Sequence, residues 1–283
     1  MHLSLILFAL AIALLLRFGL SPVVGDWGDR WQQAVGRFLL PPLLLLTTLV
    51  AVLSMGTHGQ MLGLPVGWIG CLLALSFLVY ALVRLLVLVV KGWRSHHRIQ
   101  TYARVQIQQH TIYRLDSPLL FAAQVGLWQP QLVVSQGLLD ALTDDQIEAV
   151  LTHEEAHRHY HDTFWFFWLG WLRQMTPWLP ATEALWQELL LLRELRADQW
   201  AAQRVDPLLL AESLLLVVKT PFASDLNSDP GYCAAFGTAT PENRLEERIE
   251  SLLTDPQQSC ESRISILGLA IALIPLFTLL LHH

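Results

Sequence analysis

Residues 143–159 read TDDQIEAVLTHEEAHRH. Thr143 followed by Gln146 makes a capping box, and Asp144 and Asp145 suit the positive end of a helix dipole. Ile147, Val150 and Leu151 supply an apolar face, so a helix is predicted over about 144–159. On it His153 and His157 stand one turn apart on the same face, and both imidazoles can reach one ion at about 2.0–2.1 Å. Glu154 lies beside them, placed to take a proton from a water that the ion activates. The pattern is H-E-x-x-H, written here His153-Glu154-Glu155-Ala156-His157. The competing reading is a solvated, histidine-rich helix end built from His157, His159 and His161.

A catalytic zinc takes three protein ligands and keeps one position open, so a third ligand must come from elsewhere in the chain. Glu194 is the best candidate, in the run Arg193-Glu194-Leu195-Arg196-Ala197-Asp198, inside a stretch from 185 to 202 that also reads as helix. Asp198 is one turn further on the same face, where it suits a hydrogen bond to the far nitrogen of a ligand histidine, fixing the tautomer. Glu183 and Glu188 compete for the third position, and helix glutamates are ordinarily just solvated.

Several segments then fall in a familiar order: Ser117-Pro118-Leu119, Pro130-Gln131-Leu132-Val133-Val134-Ser135, Gly137-Leu138-Leu139, the H-E-x-x-H helix, Asp162 five residues past His157, and Glu194-x-x-Ala197-Asp198. In this the chain resembles integral-membrane gluzincin peptidases of the BlaR/MecR type, the fifty-sixth metallopeptidase family. It is similar at one remove to the HtpX and CAAX-prenyl peptidases. The resemblance covers about 117–202, with a fainter echo at Arg248-Ile249. It implies one Zn2+ per chain held by His153, His157 and Glu194, with Glu154 as general base and Asp198 supporting a ligand from behind. HtpX-like enzymes commonly carry histidine before the proline in the segment matching Thr240-Pro241; threonine here favours the BlaR/MecR side. Sensors of that type continue past the last span into a penicillin-binding domain, so a chain ending at His283 is expected to correspond to the peptidase module alone.

Composition sets the surroundings. Of 283 residues, 53% are hydrophobic and only 15% charged, so membrane segments are expected. A net charge of −6 argues against nucleic-acid binding, and Cys71, Cys233 and Cys260 form neither a disulfide framework nor a cysteine metal site. Spans are read at 3–20, 38–55, 66–90 and 264–281. The first lacks a basic n-region and a small-residue cleavage site, so it is read as a retained span rather than a signal peptide. Arg17 is expected to snorkel to the interface, Arg84 inside the third span either to snorkel or to serve a function within the membrane, and Pro41 and Pro42 to kink the second span or mark its first turn. Arg17, Arg30 and Arg37 lie between the first two spans, and Lys91, Arg94, Arg98 and Arg104 follow the third. By the positive-inside rule both termini face outward and 91–263 is cytoplasmic.

Within that cytoplasmic region, 104–115 suggests a strand, and 120–125 with 131–135 a β-hairpin. A strand there either offers an open edge to an extended substrate or is simply sheet core. Residues 164–179, with Trp165, Trp168, Trp171 and Trp178, suit a helix at the membrane interface. Helix is expected again at 207–218 and 242–253, with a loop at 221–241 between them; Arg244 or Arg248 could touch the active site, although most such charges form a solvated face. The expected fold class is mainly α, a polytopic membrane protein with about four transmembrane helices and a cytoplasmic α+β gluzincin domain carrying a small sheet. The expected partners are the lipid bilayer and a protein or peptide substrate, such as a transcriptional repressor. HtpX-like quality control and a non-catalytic signalling scaffold are the alternatives.

Overall fold

The computed structural model describes residues 2–18, 27–56, 60–61, 64–65, 68–218, 233–235, 242–254 and 273–275. Most of the expected last span at 264–281, most of the 221–241 loop and the Thr240-Pro241 pair lie outside them. The chain is mainly helical and divides into two units, one of residues 1–87, 171–190 and 259–283, the other of 88–170 and 191–258.

In the first unit, α1 (His2–Phe18) packs on α2 (Trp27–Met55), with Ala9 and Ala13 meeting Leu45 and Leu179. Small residues let the helices approach closely. The strands β1 (Gln60–Met61) and β2 (Leu64–Pro65) form a minimal hairpin ahead of α3 (Trp68–Ile99). Helices α2 and α3 are long and apolar enough to cross a membrane. Because α2 begins at Trp27, Pro41 and Pro42 sit in its interior rather than its first turn. Pro42 has no N–H, which leaves the Phe38 carbonyl without its helical donor. Arg17 supplies one: it is 2% exposed and donates to Phe38 O at 3.3 Å and to Pro180 O at 3.2 Å. The expected snorkelling is therefore replaced by an inward turn, since an unpaired buried carbonyl would cost about 1–3 kcal/mol.

The second unit holds a five-stranded mixed sheet in the order β3-β4-β6-β5-β7. The stretch expected as one strand is a hairpin of β3 (Ala103–Ile107) and β4 (His110–Leu115), turned by Gln108 at φ 51°. The hairpin of β5 (Ala122–Val125) and β6 (Gln131–Ser135) falls where the sequence puts it, and β6 runs parallel to β4. The outer edge of β5 is not open: β7 (Cys233–Ala235) pairs with it antiparallel. Three residues are too few to show an alternating pattern, which is why this strand is invisible in the sequence.

Ser135 caps α4 (Gln136–Ala141), accepting from Leu138 N. At Gly137 the chain passes so close to the Ser117-Pro118 turn that a Cβ would stand 2.2 Å from Pro118 O, while Gly137 N donates to Ser117 O at 2.9 Å. Gly137→Ala is therefore expected to destabilise the fold by about 1–3 kcal/mol, read as a lowered thermal midpoint in detergent.

Helix α5 (Asp144–His159) packs Ile147, Val150 and Leu151 against Ile112, Ala122, Leu132 and Val134 of the sheet. Leu210, Ala211 and Leu214 of α8 (Pro207–Val218) and Leu252 of α9 (Glu242–Leu253) complete that core. Between α5 and α8 run α6 (Asp162–Met175) and α7 (Thr182–Ala202). The tryptophan-rich stretch is two-faced: Phe166, Phe167, Leu169 and Leu172 are buried, whereas Trp165 and Trp178 are about half exposed.

Candidate metal centre

Helix α5 starts at the expected cap. Thr143 Oγ1 accepts from Gln146 N, and Gln146 Oε1 accepts from Thr143 N at 3.1 Å. The same helix buries His153, Glu154 and His157 completely or nearly so. Helix α7 brings Glu194 and Asp198 to them, both also buried.

Each histidine is gripped from behind by a carboxylate. His153 Nδ1 lies 2.9 Å from Asp198 Oδ1, and His157 Nδ1 lies 2.7 Å from Asp162 Oδ2. With a carboxylate at each Nδ1, hydrogen-bonded in His157 and in 2.9 Å contact in His153, the two Nε2 atoms converge, 3.2 Å apart. A cation or a shared proton between them is what makes such an approach favourable. Glu194 Oε2 lies 3.5 Å from His153 Nε2, and Glu194 Oε1 lies 3.8 Å from His157 Nε2. Ligand atoms on a zinc tetrahedron with bonds near 2.0–2.1 Å stand about 3.3 Å apart, so the three side chains fit one ion. Among the described residues His153, His157 and Glu194 are the group that could hold a metal. Glu183 and Glu188 are not part of it: Glu183 receives Arg173, and Glu188 receives Arg30.

Arginines complete the network. Arg248 of α9 is fully buried and forks onto Asp198, Nε to Oδ2 at 2.7 Å and Nη2 to Oδ1 at 2.8 Å, with Nη1 3.4 Å from Glu194 Oε2. Arg196 bonds Asp162 Oδ1 and stacks over the Tyr160 ring. Each histidine is thus backed by a carboxylate that is itself backed by an arginine. Of the two readings of Arg248, a solvated face or a contact with the site, the structure takes the second: its charge is balanced in the interior by a residue 50 positions away. Asp162 was visible only as a spacing; its approach to His157 depends on the chain reversing at His161, where φ is 54°. Strand β5 reaches the site as well, Gln124 N donating to Glu154 Oε2 at 3.0 Å and Gln124 Nε2 to Glu154 O at 3.1 Å. Glu154 Oε1 is buried without a hydrogen-bond partner among the described residues.

The charges follow from these neighbours. Burial, reinforced by nearby Glu194, pushes the Glu154 carboxyl up to about 8 against the opposing pull of His153 and Arg193. Burial alone would lower His153, but Asp198 and Glu194 outweigh it and raise the ring to about 9. Burial lowers His157 despite Glu194 and Asp162. Glu194 is held well below the usual carboxylate range: burial works against this, and Arg193, His157 and Arg248 win. Without metal, His153 therefore carries a proton below pH about 9, which an incoming cation must displace. Metal binding at pH 7.5 is expected to release that proton, and affinity to rise with pH until about 9. Calorimetric titration in two buffers of different ionisation enthalpy measures the release; identical heats would contradict it.

A family model described as BlaR1 peptidase M56 matches residues 47–210, more than half of the chain. The chain belongs to this family. No curated protein and no solved structure matches it. Membership in M56, with the apolar helices α2 and α3, makes it a membrane-associated metallopeptidase by family. The matched M56 region contains His153, His157, Asp162, Glu194 and Asp198 and stops short of Arg248.

Proposed function

We propose that this M56 chain is a zinc-dependent endopeptidase that makes regulatory cuts in a cytoplasmic protein, a transcriptional repressor being the type of substrate in view. The observation that carries the reading is the convergence of two carboxylate-backed histidines and a buried glutamate, with a fourth buried carboxyl, Glu154, beside them. His153, His157 and Glu194 are the proposed ligands, and Asp198 and Asp162 hold the rings in the tautomer that presents Nε2. A bound zinc would polarise the scissile carbonyl and acidify water. Glu154 takes the proton from that water and passes it to the leaving amine, and its raised affinity for protons suits both halves of the task. Gln124 N–H keeps one carboxylate oxygen fixed, so the other is the one that turns to the water.

The organisation we infer around this site is a membrane region at 1–90, a cytoplasmic peptidase domain at 91–263 and a final span at 264–283. Four spans place both termini outside, on the strength of the basic residues after α3 and between α1 and α2. Regulatory cleavage is tested by capturing proteins from membranes on the Glu154→Gln variant. One dominant partner supports it. A mixed pool of damaged membrane proteins supports HtpX-like quality control instead, and a partner that wild type also leaves uncut supports a scaffold.

A further inference from the structure

Glu194 is held in an unusual way. Side chains one residue apart on a helix do not ordinarily face each other, yet Arg193 folds back onto its neighbour. Its Nε and Nη2 donate to the same oxygen, Glu194 Oε1, at 2.9 and 2.7 Å. The guanidinium is 1% exposed and lies over the Phe166 ring, 4.9 Å from its centroid, so the fork has no room to swing away. Oε2 makes no hydrogen bond within ordinary limits, standing 3.5 Å from His153 Nε2 and 3.4 Å from Arg248 Nη1, while Oε1 also faces His157 Nε2 at 3.8 Å.

We propose that Arg193 is a positioning residue that restricts Glu194 to one-oxygen coordination, so that two rings, one carboxylate oxygen and a water would make up a four-donor set. This rests on the zinc-peptidase reading above. A carboxylate with both oxygens free can chelate, and a chelating Glu194 would crowd the nucleophile with a fifth donor. Two N–H groups on Oε1 occupy its lone pairs and draw its charge toward Arg193, which makes Oε2 the better lone-pair donor to an ion shared with the rings. The planar fork is what does this; a lysine would bring the charge without it.

The test uses the full-length protein in detergent, loaded with Co2+, whose visible absorption is stronger in four-coordinate sites than in five-coordinate ones. Wild type is expected to bind one ion per chain with the strong band. Arg193→Met should still bind cobalt but show the weak band, with kcat on a peptide substrate down about 10–100-fold and KM little changed. Arg193→Lys should resemble Arg193→Met, and it carries the test by itself if the methionine variant does not fold. A wild-type band in either variant overturns the proposal. Failure of wild type to bind a single cobalt would instead remove the metal reading on which it stands, so the two failures are told apart.

Discussion

Glu154→Gln is expected to lower kcat/KM by about 10²–10⁴-fold while metal content stays at one ion per chain. The substitution keeps the shape of a side chain that is fully buried and leaves an oxygen to accept from Gln124 N, so packing and the backbone bond both survive. It removes the proposed general base. None of the three proposed ligands changes, and the Asp198 and Asp162 contacts to the rings are untouched. Metal analysis and peptide cleavage measured on the same preparations decide the matter: equal cleavage by the two forms would remove the enzyme reading outright.

Glu194→Ala should behave in the opposite sense, losing the metal and much of the fold's stability together. Glu194 is the counter-charge for buried Arg193, which bonds it at 2.7 and 2.9 Å, and it also faces Arg248 at 3.4 Å. Deleting one partner of a buried ion pair strands the other in a poorly solvating interior, at a cost of about 3–5 kcal/mol. Arg248 keeps Asp198, so the loss falls mainly on Arg193. Added zinc should raise the thermal midpoint of wild type, since a ligand that binds only the folded state stabilises it by mass action, and should leave Glu194→Ala unmoved. A variant that still responds to zinc would show that Glu194 is not the third ligand, and one that unfolds at the wild-type temperature would show that Arg193 does not depend on it for its counter-charge.

These two outcomes separate roles that the static arrangement merges, because Glu154 and Glu194 are both buried carboxyls beside the same imidazoles. Their surroundings already differ. Glu154 has one backbone N–H and an orphaned oxygen, and burial raises it; Glu194 has arginines, and they hold it ionised. A proton carrier and a permanent anion are the two states that a general base and a metal ligand respectively require.

Much of this was legible along the chain wherever a local rule governed. The capping box of Thr143 and Gln146 starts α5 at Asp144, and the four-residue spacing puts His153 and His157 side by side whatever else surrounds them. The turn residues between β5 and β6 and the one-turn separation of Glu194 from Asp198 are likewise short-range facts. Sequence therefore determined which residues could share an ion and which helix would carry them. Tertiary structure alone decided the rest: that Arg248 lies buried on Asp198 rather than in solvent, that Asp162 closes on His157, that Arg17 meets a carbonyl freed by Pro42, and that β7 covers the edge of β5. Each of these joins groups brought together by chain reversal or by distant packing. A charge is soluble or buried according to the partner it finds there, and no periodicity in the chain records that partner.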